Sequence, residues 1–284
     1  MIYVSSSCIK KNRIIEILEE YAANGITHIE LSGGTNYYPE IEKDLIDLKQ
    51  RHRLEYACHA YFPPPQEEFV VNLASCNDEI YERSIRHYEE CISMLMRVKC
   101  NTLSVHAGFL MEITTDNIGK KICDPIIYDE REAYERFCNA YKHIEDLCNK
   151  SNIRLYLENN VLSKENYEAF QQHNYFMMTD YESIMKMKEY ISFDLLLDLG
   201  HLHVSANTLK LDYPEQCMRL KEQVKWIHVS DNNGIADQHK PLSGNSRILE
   251  GFNAIYDNGV NVTLETQGMI SEILDSIDLC KQGA

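Results

Sequence analysis

Residues 226–244 read WIHVSDNNGIADQHKPLSG and join a short apolar run to a loop rich in metal-binding side chains. The apolar run ends at His228, and Asp231, Asp237 and His239 follow on the same stretch of chain. Other short apolar runs also end on residues that can ligate a metal: LEYACHAY at His59, NTLSVHAG at His106, IRLYLENN at Glu158, FDLLLDLGH at Asp198 and His201, and VTLETQG at Glu265. The rest of the chain reads as a scaffold that brings these ends together.

Strand-like and helix-like patterns alternate from one end of the chain to the other. Asn77 is a typical N-cap for the long helical pattern that follows it, and the helical stretch after residue 200 breaks at Pro214. Strands separated by helical crossovers must be parallel, and non-alternating apolar runs such as FDLLLDL suit strands buried on both faces. About eight such strand–helix pairs predict an α/β protein with the (β/α)8 TIM barrel fold.

A doubly wound open sheet is the alternative fold. It is disfavoured because no G-x-G-x-x-G follows the first predicted strand and no Walker-type phosphate loop is found. No shift in composition marks a linker. We therefore expect residues 1–284 to form a single barrel domain.

The chain of 284 residues has 44 acidic and 28 basic side chains, a formal net charge of −16. This charge disfavours a nucleic-acid partner, although a local basic groove or bound divalent metals would offset it. The ten cysteines are scattered without a C-x-x-C pair, the start does not resemble a signal peptide, and no apolar run has the length of a membrane span. We expect a cytoplasmic protein with reduced thiols and no membrane partner.

In a (β/α)8 barrel the carboxyl ends of all strands open at one mouth, where active sites are built. The ends of predicted strands three to eight carry His59, His106, Glu158, Asp198, His228 and Glu265. Taken singly, a histidine or aspartate that closes a strand is more often a hydrogen-bonding group than a ligand. Carboxylates that follow strongly apolar runs, such as Glu158 and Glu265, need a partner or a metal. Together these residue types predict a site for Zn²⁺, Mn²⁺, Co²⁺ or Fe²⁺.

Local spacing adds further candidates. His201 comes three residues after Asp198, where the strand is expected to turn into its loop. Asp237 and His239 are two residues apart and would face the same side of an extended loop. Glu30, at the end of the second predicted strand, is a candidate substrate contact.

The segments LENN, LDLGH, HVSDNNGIADQHKPLSG and LET resemble the xylose-isomerase-like (β/α)8 superfamily, which contains sugar epimerases, sugar-phosphate isomerases, inosose dehydratases and the endonuclease IV group of DNA-repair enzymes. The resemblance covers nearly the whole chain and is most specific from Glu158 onward. In the epimerase branch it implies one divalent metal held by Glu158, Asp198, His228 and Glu265. In the endonuclease IV branch it implies a three-zinc cluster with the additional positions His59, His106, His201, Asp237 and His239.

The surroundings of these residues favour the sugar-directed branch. The repair enzymes resemble H-L-N-D-S-K after strand seven, whereas this chain has HVSDNNG, and YFPPPQEEF after His59 also departs from the repair pattern. The segment FVVNLAS, in contrast, is similar to the repair enzymes. No basic stretch interleaved with aromatic residues is available to hold a DNA duplex.

We therefore predict a metal-dependent sugar or sugar-phosphate isomerase or epimerase of carbohydrate metabolism. Glu158 and Glu265 would transfer the proton through a metal-stabilised enediolate. The cofactor would be Mn²⁺, Zn²⁺, Co²⁺ or Mg²⁺, at about one to three ions per chain. The predicted substrate contacts are Glu30, His201, Asp231, His239, Ser243 and Gly244. Ser243 and Gly244 belong to the segment PLSGNS, whose backbone N–H groups are predicted to bind a phosphate. The alternative is that Ser246 only caps the next helix.

Two alternatives stay open at the level of sequence. One is an endonuclease IV-like multi-zinc phosphodiesterase that acts on abasic-site DNA, with His59 and His106 as true ligands. The other is a non-catalytic barrel that binds a sugar. The sequence also leaves the oligomeric state open, a homo-oligomer included.

Overall fold

The computed structural model describes residues 1–117, 119–123, 125–257 and 259–282. The strands are β1 Ile2–Ser5, β2 His28–Leu31, β3 Glu55–Cys58, β4 Thr102–His106, β5 Arg154–Glu158, β6 Asp194–Asp198, β7 Val224–Val229 and β8 Asn261–Leu264. The helices are α1 Ile14–Ala23, α2 Ile41–His52, α3 Asp78–Val98, α4 Glu130–Lys150, α5 Lys164–Ala169, α6 Tyr181–Tyr190, α7 Leu199–Leu209, α8 Tyr213–Leu220, α9 Arg247–Ile255 and α10 Ile270–Gln282.

The eight strands form one parallel sheet in the order β3-β2-β1-β8-β7-β6-β5-β4, a nearly closed barrel with helices between the strands. The predicted TIM barrel fold is confirmed. β3 and β4 stand at the two ends of this order, and the seam of the barrel lies between them. Side chains make hydrogen bonds across this seam. The thiol of Cys100 donates to the carbonyl of Tyr56 over 3.2 Å, and the hydroxyl of Ser104 donates to the carbonyl of Cys58 over 3.4 Å.

The barrel interior is stacked in layers, each drawn from alternate strands as is usual for this architecture. An apolar layer combines Tyr3, Ala57, Tyr156 and Trp226 from the odd strands, with Leu196 of β6 packed against them. Side chains alternate along a strand, so residues two positions further on face the interior again. On the odd strands these residues are Ser5, His59, Glu158 and His228. The even strands contribute one layer with Glu30, Ser104, Leu196 and Thr263. Two positions further on, the even strands carry Ser32, His106, Asp198 and Glu265.

Helix starts follow the predicted caps. The side chain of Asn77 accepts a hydrogen bond from the backbone of Glu79 at the start of α3, and that of Ser246 accepts from Ile248 at the start of α9. Pro214 lies in the first turn of α8, a position where proline is tolerated. Within the part of the chain that the structure describes, no helix is both long and apolar enough to cross a membrane.

Replacement of Gly108 by alanine is expected to destabilise the fold. A Cβ at this position would lie 2.5 Å from the Cβ of Ala74 and 3.1 Å from the ring of Phe137. Both neighbours are fully buried, so relief requires the backbone to move, which costs about 1–3 kcal/mol. Urea unfolding of the metal-free protein measures this change. Gly244→Ala is the matched control, because its Cβ would meet nothing within 4 Å, and equal stability of the two variants would contradict the packing argument.

Candidate metal centre

The ends of β3 to β8 bring carboxylates and imidazoles together at the mouth of the barrel. Within the described residues, these side chains form donor groups whose ligand atoms lie within 4.8 Å of one another. Two of these groups contain Glu158, which joins His59 and His106 on one side and Asp198, His228 and Glu265 on the other. The six residues come from the two uppermost barrel layers. Their meeting therefore follows from strand register rather than from loop conformation.

The first donor group lies at the seam of the barrel. The Oε2 atom of Glu158 is 3.2 Å from Nε2 of His59 and 3.2 Å from Nδ1 of His106. The Nε2 atoms of the two histidines are themselves 3.2 Å apart. Two imidazoles and one carboxylate oxygen thus face a common point.

The second donor group surrounds His228. Its Nδ1 atom is 3.4 Å from Oε1 of Glu158 and 3.4 Å from Oε2 of Glu265. Asp198, paired in register with His228 on the neighbouring strand, completes the group. The two oxygens of Glu158 therefore face different donor groups.

A third group, not within the 4.8 Å sets, stands beside the second. The Oδ2 atom of Asp237 is 3.3 Å from Nε2 of His201 and 2.9 Å from Nε2 of His239. The loop that carries Asp237 is folded back by a pair of backbone hydrogen bonds between Asp231 and Lys240, each 2.8 Å long. His239 has a φ of 46°, so the loop is not extended as the sequence argument assumed, but the two side chains do meet.

The position of His201 corrects one expectation. No loop intervenes after β6, because α7 begins at Leu199 and His201 occupies its first turn. Asp198 is the N-cap of this helix, and its Oδ1 atom accepts a 2.7 Å hydrogen bond from the backbone N–H of His201. This leaves the other carboxylate oxygen, Oδ2, for the donor group.

Residues outside the donor groups orient the histidines. The hydroxyl of Ser104 lies 2.7 Å from Nδ1 of His59, which leaves Nε2 of that ring toward Glu158. The carbonyl of Asn159 accepts from Nδ1 of His201 over 2.8 Å, and the Asn159 side chain accepts from the backbone of Asp198 over 2.7 Å. Partners of this kind fix ring orientation and raise metal affinity. The roles of Ser104 and Asn159 are not predicted from the sequence, although Ser104 stands two residues before His106 and Asn159 directly follows Glu158.

Several buried polar atoms of the cluster have no hydrogen-bond partner in the described part of the chain. They are Oε1 and Oε2 of Glu158, Oδ2 of Asp198, both ring nitrogens of His228, Oδ1 of Asp237 and Nδ1 of His106 and His239. Neighbouring atoms are close, but their directions do not make hydrogen bonds. Since an unsatisfied buried polar atom costs about 1–3 kcal/mol, the concentration of such atoms here fits a cation as the common partner.

Buried carboxylates and imidazoles of the cluster shift one another's pKa values. Burial opposes ionisation of Glu158, but His106, His59 and His228 together lower its pKa to about 2. Burial also disfavours the charged form of His239, yet Asp237 raises its pKa to about 9. For Asp198, burial dominates and the pKa rises to about 6. A site in which carboxylates hold protons on nearby imidazoles can hold divalent cations in their place.

The remaining predicted substrate contacts are Glu30, Asp231, Ser243 and Gly244, and of these Glu30 is in contact with His228. Glu30 is buried beneath His228, with its Oε1 atom 2.9 Å from Nε2 of that ring. The side chain of Asp231 accepts from the backbone of Asn232. Ser243 and Gly244 are exposed, and the Ser243 hydroxyl donates to Asn245. Substrate contacts by these residues stay predictions.

Comparison with known proteins gives one family and several related folds. The family model described as xylose isomerase-like TIM barrel matches residues 18–281. An uncharacterized protein of Methanocaldococcus jannaschii is 22% identical over 274 residues, which cover 94% of this chain and 88% of that protein.

Solved structures with a similar fold include that of a D-tagatose 3-epimerase-like protein. Its TM-score is 0.74, and it is 19% identical, with 99% of this chain and 96% of that chain covered. Endonuclease IV from Thermus thermophilus has a TM-score of 0.62 and 16% identity over 99% and 98% of the two chains. At these identities the likeness is one of fold.

Proposed function

We propose that this chain, which belongs to the xylose isomerase-like TIM barrel family, is a multinuclear divalent-metal enzyme that hydrolyses a phosphate ester. The structural neighbours of this chain include both epimerases and endonuclease IV. We also propose that residues 1–284 form one domain, since all eight strands belong to one sheet.

The arrangement around Glu158 carries this proposal. The epimerase branch of the family resemblance implies one metal, for which Glu158, Asp198, His228 and Glu265 suffice. His59 and His106 face the second oxygen of Glu158 at 3.2 Å and would have no role in a one-metal site. Sites that hold two adjacent cations occur in many phosphatases and nucleases. The geometry therefore favours the hydrolytic alternative over the isomerase expected from the loop sequences.

The donor groups would hold about three divalent cations, for which zinc fits the mixed imidazole and carboxylate set. Bound cations would supply Lewis acidity that activates water and neutralises charge on phosphoryl oxygens. The chain's own contribution is orientation. Ser104 is bonded to Nδ1 of His59 and the Asn159 carbonyl to Nδ1 of His201, and the Asn159 side chain also holds the backbone of Asp198.

A sugar isomerase or epimerase is the second candidate, and one observation favours it. Glu158 and Glu265 approach Nδ1 of His228 at 3.4 Å each, from strands β5 and β8. Two carboxylates around one metal position are suited to remove and return a proton on opposite faces of a substrate. The net charge of −16 also fits a small substrate better than duplex DNA.

Metal content and a paired substrate screen test the proposal. We expect about three zinc ions per chain after reconstitution, and hydrolysis of a phosphodiester, tested with small aryl diesters and abasic-site DNA. Treatment with a chelator should abolish activity, and added Zn²⁺ should restore it. One metal per chain with turnover of ketohexoses or sugar phosphates would support the epimerase instead. Full metal loading with no turnover in either screen would favour a binding protein.

A further inference from the structure

Glu30 lies one barrel layer beneath the candidate ligands and makes contacts that set it apart from them. Its side chain is buried in the barrel interior, with a relative exposure of 1%. Its Oε1 atom is 2.9 Å from Nε2 of His228, and its Oε2 atom accepts a 3.0 Å hydrogen bond from the hydroxyl of Thr263. A buried carboxylate is tolerated only where such partners compensate it.

A chain of hydrogen bonds fixes the orientation of this carboxylate. The indole N–H of Trp226 donates to the Thr263 hydroxyl over 2.9 Å. Indole can only donate, so the hydroxyl accepts from Trp226 and directs its own proton to Glu30. Trp226 and Thr263 belong to the packed interior and are themselves buried. Glu30 is therefore held from below with its free oxygen aimed at His228.

This contact decides which nitrogen of His228 is available to a cation. Nε2 faces Glu30, and Nδ1 faces Glu158 and Glu265. A neutral imidazole carries one N–H and one lone pair. The contact between Nε2 and Glu30 lacks the direction of a hydrogen bond, but the negative charge of a carboxylate oxygen 2.9 Å away attracts the N–H to the Nε2 side of the ring. The lone pair then lies on Nδ1, toward the second donor group.

We propose that Glu30, held by Thr263 and Trp226, is a positioning residue that sets the metal affinity of the group formed by Glu158, Asp198, His228 and Glu265. The inference rests on the proposed metal-dependent function and adds to it a determinant outside the ligand set. It also revises the expectation that Glu30 contacts substrate, because the residue lies beneath His228 rather than at the open mouth.

The alternative is that Glu30 is itself a ligand, since donor atoms of Glu30, His59 and His228 also lie within 4.8 Å of one another. Two contacts argue against it. Oε2 of Glu30 is bonded to the Thr263 hydroxyl, and Nε2 of His59 lies 3.2 Å from Oε2 of Glu158, so that this nitrogen is turned toward the first donor group. A ligand role would moreover require Nε2 of His228 and Oε1 of Glu30 to turn from each other toward a cation, and the two atoms are in contact.

Cobalt titration of metal-free protein tests the proposal in the wild type and in Glu30→Gln, Thr263→Val and Thr208→Val. Affinity is measured by competition with a chromophoric chelator, and the number of ions at saturation by elemental analysis. Thr208→Val is the matched control, because Thr208 is a buried threonine of α7 whose hydroxyl makes no hydrogen bond among the described residues. Thermal unfolding of each metal-free variant checks that it is folded.

We expect Glu30→Gln to bind as many Co²⁺ ions as the wild type, one of them about 10–100-fold more weakly. Thr263→Val should show a smaller loss at the same ion, and Thr208→Val none. Thr263→Val keeps the test available if Glu30→Gln does not fold. Unchanged affinity in both Glu30→Gln and Thr263→Val, or one ion fewer at saturation in Glu30→Gln, would overturn the positioning role. A wild type that binds no Co²⁺ would instead overturn the proposed metal-dependent function.

Discussion

In the proposed three-metal hydrolase, Glu158→Gln is expected to release about two of the three metal ions and to reduce hydrolytic activity by at least about 10³-fold, because Lewis acid stabilisation contributes several kcal/mol. The reason is that the two oxygens of Glu158 face different donor groups, at 3.2 Å from His59 and 3.4 Å from His228. A carboxamide of the same shape has no negative charge to share between two cations. The third donor group does not include Glu158 and should keep its ion.

Elemental analysis of the purified variant measures this loss directly. The rise in the thermal unfolding midpoint on addition of Zn²⁺ gives a second readout, since ions that bind only the folded state stabilise it. Glu168→Gln is the matched control, because Glu168 is exposed on α5 and its carboxylate forms an ion pair with Lys164 across 3.7 Å. Full metal content in Glu158→Gln would rule out the bridging role.

In the proposed three-metal site, Asp237→Asn should remove only the ion that the third donor group would hold. Asp237 is the carboxylate between His201 and His239, at 3.3 and 2.9 Å from their Nε2 atoms. Residues that merely orient ligands typically change metal affinity 10–100-fold, so loss of a direct ligand should weaken binding at least about 100-fold. Fold stability should change little, because the residue lies on a loop held by the Asp231–Lys240 backbone pair.

The same measurement separates the two candidate functions. In a multinuclear hydrolase, Asp237→Asn should contain about two ions per chain and lose most of its phosphodiesterase activity. In a one-metal epimerase, its metal content should equal that of the wild type. Asp275→Asn, a position on α10 away from the barrel mouth, controls for the loss of one carboxylate from an acidic protein.

Strand ends were the most predictable part of the site. Apolar runs that terminate in His59, Glu158 or His228 predict buried parallel strands, and the barrel fold then carries their ends to one mouth. The residues that orient the ligands were harder to recognise. Ser104 and Thr263 are ordinary small polar residues within strands, and only their place one layer below the ligands gives them partners.

Loops were the least predictable part. HVSDNNG and YFPPPQEEF favour a sugar-directed enzyme over the repair enzymes, but they do not indicate how many metals the site holds. The placement of His59 and His106 at 3.2 Å from the second oxygen of Glu158 depends on strand register and not on these loops. The structure also starts α7 directly after Asp198, so that the N-cap of a helix and not a loop positions His201.

The sequence by itself determined the barrel and the residue types at its mouth, because strand periodicity and apolar runs are local properties of the chain. Only the tertiary structure decided how the donors are shared, with Glu158 between two groups and Asp237 beside a third. Distances between strands that are far apart in sequence depend on register and on which face each side chain takes. The dense loop of residues 226–244 supplies His228 from a barrel layer and Asp237 and His239 from a folded-back turn, a division that spacing along the chain does not reveal.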